Sequence, residues 1–278
     1  METAISTGTV RLERDRDDPD GWHVHVNGVP SSYLDLADPR VLAFEYQQWT
    51  AEVLAATHPP ATSPTLRAVH LGGAGCAFPR HLAATRPGSR QLVLEVDAAL
   101  VELVREAFGA TGPAGFRLKV ADARAGLTGV PDATQDTVVR DAFAGAEVPV
   151  HLSTVEFLRD VRRVLAPGGV WIANLADAPP MPLARAEAAT ASAVWPHVAL
   201  VAEPSLFRGR RYGNALLVAS DAELPLAVML RRLSGGAAPA RVLAGEDLRH
   251  FCAPADVLRD AAPRPGPTPV PPPEDPPA

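Results

Sequence analysis

From Leu66 onward the sequence alternates short apolar runs with amphipathic stretches. The apolar runs have the length of strands, and the stretches between them place apolar residues at helical spacing. This alternation predicts a mostly parallel sheet covered by helices on both faces, which is the doubly wound α/β class. The predicted sheet is seven-stranded, with strands at 68–71, 91–94, 116–120, 137–139, 170–174, 198–201 and 215–219.

Two helices between these strands can be predicted together with their ends. Asp97 is of a residue type that caps helix N-termini, and the apolar residues after it share one helical face. A second helix is predicted over 155–165, where Pro167-Gly168-Gly169 would end it.

The two ends of the chain differ from this central region. Segments 9–13 and 22–26 alternate as half-buried strands do, and Asn27-Gly28 is a hairpin turn, so a small β module is predicted first. A helix over 39–54 and a proline-containing linker follow. The last 18 residues hold nine of the 29 prolines, which predicts a disordered tail. The predicted domains are 1–64, 65–260 and 261–278.

Charge and composition exclude several classes of function. The net charge is −6, from 26 basic and 32 acidic residues, and no basic cluster is present to bind nucleic acid. No apolar run approaches the length of a membrane span, and the N-terminus lacks the apolar stretch of a secretion signal. Two cysteines, Cys76 and Cys252, fit a reducing compartment, so a cytoplasmic location is expected.

A glycine-rich turn follows the first strand of the central region, with glycines at 72, 73 and 75. Glu95 lies about 20 residues further on, at the end of the next strand, where a carboxylate can accept both hydroxyls of a ribose. Phe78 occupies the place of the third glycine of a dinucleotide motif, which favours a nucleoside without a pyrophosphate over NAD. The alternative is an ordinary tight turn with no ligand.

Two more acids follow the next strands. Asp122 comes after the third strand, where it can accept the amino hydrogens of adenine, and Asp141 comes after the fourth. Ligands of open α/β sheets bind at these carboxyl ends of the strands. Each aspartate alone would more often be a helix cap or a turn former.

With these features the chain resembles the class I S-adenosylmethionine-dependent transferases and, within them, the spermidine synthase family. The resemblance covers roughly 21–219 and is carried by segments 32–39, 44–46, 72–75, 94–97 and 165–170. It implies that Asp141 is the catalytic aspartate and that the substrate site includes Tyr46 and Gln47. It also implies a site for S-adenosylmethionine formed by Gly72, Gly73, Gly75, Glu95, Asp122 and Ala123. It also implies a possible homodimer.

Three departures from the family pattern affect the predicted reaction. Gly75 stands where the family has an aspartate for the charged aminopropyl tail, Gln48 replaces a glutamate, and Ala144 replaces the second acid of an Asp-x-x-Asp motif. Buried ammonium groups need carboxylate partners. We therefore expect methyl transfer from S-adenosylmethionine to a less cationic small molecule. The alternatives are aminopropyl transfer from decarboxylated S-adenosylmethionine, and a non-catalytic nucleoside-binding protein.

Three other features each allow two interpretations. His23 and His25 share a strand face and could chelate a metal, but no third ligand lies at suitable spacing, so no metal is predicted. Cys76 is either a nucleophile or a small residue that fills a tight space. Segment 207–214, with three arginines, is either an anion clamp or a solvated hairpin turn.

Overall fold

A computed structural model describes residues 2–73, 75–109, 115–145 and 147–260, so the predicted tail, 261–278, lies outside it. The N-terminal β module is a four-stranded antiparallel sheet in the order β1-β2-β3-β4. Its strands are β1 (Glu2–Ile5), β2 (Gly8–Arg14), β3 (Gly21–Val26) and β4 (Val29–Asp35). Asn27 and Gly28 both have positive φ, as the predicted turn between β3 and β4 requires.

A larger sheet forms the centre of the molecule, and within the described residues it has eight strands in the order β12-β10-β11-β9-β8-β5-β6-β7. Strands β5 to β9 run parallel, whereas β11 is antiparallel to β9 and β10 is antiparallel to β11. These strands are β5 (Arg67–Leu71), β6 (Arg90–Glu95), β7 (Phe116–Val120), β8 (Gln135–Arg140), β9 (Leu165–Asp177), β10 (His197–Ala202), β11 (Gly213–Ser220) and β12 (Arg241–Ala244).

Helices cover both faces of the large sheet, as the alternating pattern predicts. They are α1 (Glu45–Thr57), α2 (Ala77–Thr85), α3 (Ala98–Phe108), α4 (Ala123–Leu127), α5 (Val155–Val164), α6 (Pro182–Ser192), α7 (Pro204–Phe207), α8 (Leu226–Ser234) and α9 (Gly245–Cys252), with a 3₁₀ turn at Val150–Leu152. None of the described helices is long and apolar enough to cross a membrane.

Separate apolar clusters fill the two sides of the sheet. One contains buried residues of α5, α6 and α9 with Trp171 of β9. The opposite side packs α1 and α8 against Ile172, the neighbour of Trp171, because successive strand residues point to opposite faces. A third cluster joins the N-terminal module to α3 through Val10, Val24 and Val104.

All seven predicted strands are present, but three details of the prediction were wrong. The sheet gains an eighth strand, β12, at its edge. The first helix begins at Glu45 rather than residue 39, because the carboxylates of Asp35 and Asp38 bind backbone N–H groups two or three residues ahead and hold that segment in turns. Residues Pro167-Gly168-Gly169 lie inside β9, which begins directly after α5. The domain boundaries stay a prediction.

Candidate active site

A cavity of about 650 Å³ lies at the carboxyl ends of the central parallel strands. Its size is typical of small-ligand sites, and its position is the one expected for ligands of this fold. The hairpin between β3 and β4 and the start of α1 contribute to its lining. The cavity therefore has walls from both the N-terminal module and the large sheet.

Asp141 follows β8 and lines this cavity. Its Oδ2 accepts a hydrogen bond from the Tyr46 hydroxyl at 2.8 Å, and its Oδ1 accepts one from Asn174 Nδ2 at 2.9 Å. Tyr46 lies in the first turn of helix α1, and Asn174 lies on strand β9, which neighbours β8. Two elements distant in sequence therefore fix the orientation of one carboxylate.

Burial changes the acidity of this group. Desolvation raises the pKa of Asp141, although the hydrogen bonds from Asn174 and Tyr46 oppose the shift. Desolvation and the nearby Asp141 charge also raise the pKa of the Tyr46 hydroxyl well above its usual value. The tyrosine therefore remains a hydrogen-bond donor, and the carboxylate is a stronger base than an exposed aspartate.

The glycine turn lies next to Asp141 and Glu95. Gly72 has φ +89°, and a Cβ there would overlap the backbone carbonyl oxygen of Asp141, so only glycine fits. Gly73 N–H donates to Glu95 Oε2 at 3.0 Å, and Asp97 N–H donates to Glu95 Oε1 at 3.1 Å. These bonds hold the Glu95 carboxylate in the wall of the cavity.

Gly75 has a different role from the other two glycines. It does not belong to the cavity lining. Its N–H donates to Ser32 Oγ at 3.1 Å, and a Cβ there would come within 2.9 Å of the Ser32 Cβ. Gly75 therefore allows strand β4 to pack closely on the turn. Its contact with a cofactor stays a prediction.

Asp122 and Ala123 line the far end of the cavity, after β7. Asp122 Oδ1 accepts from Ala125 N–H at 2.9 Å as the cap of α4, and its Oδ2 lies 2.7 Å from His151 Nε2. Desolvation raises the pKa of Asp122, but the hydrogen bonds from Ala125 and His151 outweigh it and hold the pKa below its usual value. Asp122 is thus a helix cap that also faces the cavity.

The structure also shows the surroundings of the three features that allowed two interpretations in the sequence. Cys76 is fully buried, and desolvation raises its pKa to about 12, which favours the space-filling role over a nucleophile. His23 contacts Asp15 at 2.7 Å. Among the described residues no group of three or more potential ligands could hold a metal.

Within segment 207–214, Tyr212 and Asn214 line the cavity, whereas Arg211 pairs with Glu203.

Several lining residues were missed by the sequence analysis, including His70, His151 and Asn174. Asn174 could have been found, because it is a polar residue near the carboxyl end of a predicted strand. His151 gave no such signal, since it lies in a short 3₁₀ turn outside every predicted element.

No protein-family model matches the chain. Among curated proteins, it is 29% identical over 144 residues to a polyamine aminopropyltransferase of Vibrio vulnificus, covering 51% of this chain and 46% of that protein. It is 36% identical over 124 residues to polyamine aminopropyltransferase 2 of Streptomyces coelicolor, covering 41% of this chain and 22% of that protein. The matches thus span about half, or less, of these relatives' length.

Solved structures match more of the chain. Human methyltransferase-like protein 13, in complex with SAH, shares the fold, with a TM-score of 0.55, 21% identity, and coverage of 68% of this chain and 89% of that one. This likeness and the strand order show a class I methyltransferase-like α/β fold. A probable spermidine synthase from Corynebacterium glutamicum is 36% identical, with a TM-score of 0.86, over 94% of this chain and 96% of that chain. The chain belongs to the spermidine synthase-like family of transferases.

Proposed function

We propose that this protein transfers the aminopropyl group of decarboxylated S-adenosylmethionine to an amine, releasing 5′-methylthioadenosine. The observation that carries the proposal is Asp141, a carboxylate of raised pKa held by Tyr46 and Asn174 in a cavity at the strand ends. Relatives named as aminopropyltransferases support this reaction over the methyl transfer expected from the sequence.

The donor nucleoside is assigned to the β5–β7 side of the cavity. The Glu95 carboxylate lines the cavity at the end of β6, where a carboxylate can accept the hydroxyls of a ribose. Gly72 and Gly73 present backbone without side chains, so a nucleoside can approach closely. Asp122 and Ala123 would lie against the adenine at that end of the cavity. Gly75 is left out of this assignment because it packs against Ser32.

Aminopropyl transfer is a displacement at the carbon bound to the sulfonium, and the protein contributes mainly alignment and charge. Asp141 attracts the sulfonium and accepts a proton from the attacking amine. Its raised pKa suits this role, because a base works best when its pKa lies near the working pH. Tyr46 and Asn174 keep the carboxylate oriented while the proton moves.

Methyl transfer from S-adenosylmethionine is the second candidate, and a specific observation favours it. Gly75 is buried against Ser32, so the family's acid for the donor's ammonium has no counterpart there. The tail of S-adenosylmethionine carries its own carboxylate and needs this acid less than the decarboxylated tail does.

The two reactions release different thioethers, which gives a direct test. The full-length protein is incubated with each donor and a mixture of amines, and the thioether is identified by mass. We expect 5′-methylthioadenosine from decarboxylated S-adenosylmethionine. If only S-adenosylmethionine reacts, and S-adenosylhomocysteine is released, the reaction is methyl transfer instead.

Glu95→Ala should weaken binding of 5′-methylthioadenosine by about 1.5–3 kcal/mol, or roughly 10- to 150-fold, because a charged hydrogen-bond acceptor is lost. Calorimetric titration measures this change. Glu102→Ala is the matched control, since Glu102 is an exposed glutamate of α3 paired with Arg105 outside the cavity. Equal affinity in the two variants would rule out the ribose assignment.

A further inference from the structure

Two buried amide oxygens beside Asp141 lack hydrogen-bond partners. Gln47 is 3% exposed and Asn174 is 4% exposed, and both line the cavity. Gln47 Oε1 and Asn174 Oδ1 make no hydrogen bond among the described residues. A buried acceptor left unsatisfied costs about 1–3 kcal/mol, so these oxygens indicate a ligand that donates hydrogen bonds.

The other atoms of these amides are already engaged. Asn174 Nδ2 donates to Asp141, and Gln47 Nε2 lies 3.4 Å from the Tyr46 hydroxyl oxygen. The free oxygens therefore belong to the same network as the Asp141 carboxylate. Together the three groups offer one charged and two neutral acceptors.

This set matches the head of a protonated primary amine, which has three N–H bonds. Asp141 would accept the proton that leaves, and the two amide oxygens would accept the two hydrogens that stay. The nitrogen lone pair then forms the new N–C bond, while the electrons of the C–S bond move to sulfur and give a neutral thioether. The product is a protonated secondary amine, so charge and atoms balance.

Among the described lining residues, no further acid lies beside Asp141 on the acceptor side to pair with a second ammonium. The acids of the lining among the described residues are Glu95, Asp122 and Asp141. Glu95 ends β6 and Asp122 follows β7. These strands lie two and three places from β8, or about 10 and 14 Å away at the usual strand spacing. They therefore lie on the nucleoside side.

On the opposite side of Asp141 the lining is neutral, with Ala144, Ala176, Tyr212 and Asn214. Two further acids lie near but outside the lining. Glu45 Oε1 accepts from Asn214 Nδ2 at 3.1 Å, and the buried Asp177 accepts from the N-terminal N–H groups of α6. Within the described lining, the guanidinium of Arg140 is paired with Glu187.

From this arrangement we infer that the acceptor is a primary monoamine whose other end is uncharged, rather than a diamine. The inference rests on the proposed function for the role of Asp141, and it adds the substrate class. The distribution of charge on the acceptor side decides between the two: Asp141 is the carboxylate at the reacting nitrogen, and the described lining beyond it consists of small, aromatic and amide side chains.

Calorimetry on the full-length protein saturated with 5′-methylthioadenosine tests this inference. We expect n-butylamine to bind at least tenfold more tightly than 1,4-diaminobutane, because the second ammonium would be desolvated without a partner. Gln47→Met removes one amide oxygen and should weaken n-butylamine binding about three- to tenfold. Equal affinities, tighter binding of the diamine, or no binding of either amine would overturn the inference.

A gain of charge provides the converse test. Ala144→Asp adds a carboxylate to the neutral wall and should shift the preference toward the diamine by tenfold or more. Ala222→Asp is the control, because it makes the same substitution at an exposed residue just after β11, beyond the end of that strand opposite Asn214 and outside the lining. The same shift in both variants would show a general charge effect and contradict the inference.

Failure of the inference and failure of the proposed function remain distinguishable. If decarboxylated S-adenosylmethionine yields 5′-methylthioadenosine but the diamine binds more tightly, the function stands and the monoamine is wrong. If the monoamine binds more tightly but that donor yields no 5′-methylthioadenosine, the acceptor class stands and aminopropyl transfer is wrong.

Discussion

Asp141→Asn should lower turnover by about 10²- to 10⁴-fold and at the same time stabilise the folded protein at neutral pH. The loss of rate follows from removing the group that accepts the proton of the attacking amine. Affinity for the neutral thioether product should change little, because it lacks the sulfonium charge that Asp141 attracts. Initial rates and thioether titration measure the two effects separately.

The gain in stability follows from the raised pKa of Asp141. Burial disfavours its charged form, so the native state is penalised at pH values above the folded pKa. Its contribution to stability is complete below the unfolded pKa near 3.8 and is lost as the pH rises through the higher folded value. Neutral asparagine avoids that loss.

The surroundings can accommodate asparagine with one unpaired atom on the Asn174 amide, as in the parent protein. Tyr46 can donate to the new amide oxygen. Asn174 can rotate its amide so that Oδ1, which has no partner, accepts from the new amide nitrogen. The shape of the site is therefore retained.

Thermal unfolding at pH 7 and near pH 4 tests this account. The variant should melt above the parent at pH 7, and the difference should shrink at the lower pH. Asp97→Asn is a control of opposite sign. Burial raises the pKa of Asp97, but hydrogen bonds from Leu100 and Thr7 outweigh it and lower the pKa to about 2, so this variant should melt below the parent at pH 7. A lower melting temperature for Asp141→Asn would contradict the assignment.

Glu187→Ala should destabilise the fold by about 3–5 kcal/mol, since it leaves a buried guanidinium unpaired. Arg140 is 0% exposed, and its Nη2 lies 2.7 Å from Glu187 Oε2. The same guanidinium donates to the carbonyl oxygens of Leu152 and Asn174, so it ties the end of the 3₁₀ turn to strand β9. Urea unfolding of the full-length protein measures the change in free energy.

A double variant separates loss of the charge pair from loss of packing. Arg140→Met with Glu187→Leu removes both charges and keeps apolar volume, and it should recover most of the lost stability. The Arg140 guanidinium also donates to the backbone carbonyl of Asn174, whose side chain orients Asp141, so the double variant should still lose turnover. If Glu187→Ala unfolds at the parent's urea concentration, the pair does not stabilise the core.

The order of strands and helices could be predicted from the sequence because it depends on local periodicity. Apolar residues alternate or repeat every three to four positions, and Asp97 caps its helix through a bond to Leu100 only three residues away. The glycine turn could be predicted for the same reason, since the positive φ of Gly72 is a property of a few adjacent peptides. The eighth strand lies at the edge of the sheet and none of its four residues is fully buried, so its sequence carries a weaker apolar signal than the central strands.

The sequence by itself determined the doubly wound class, the strand ends at which the site forms, and the family to which the chain belongs. Only the tertiary structure decided which side chains meet there. The Tyr46 hydroxyl reaches Asp141 across 95 positions of sequence, and Asn174 reaches it across 33. Gly75 turned out to serve strand β4, 43 residues earlier. Such contacts depend on how whole elements pack, and packing depends on the complementarity of distant surfaces, which no local pattern encodes.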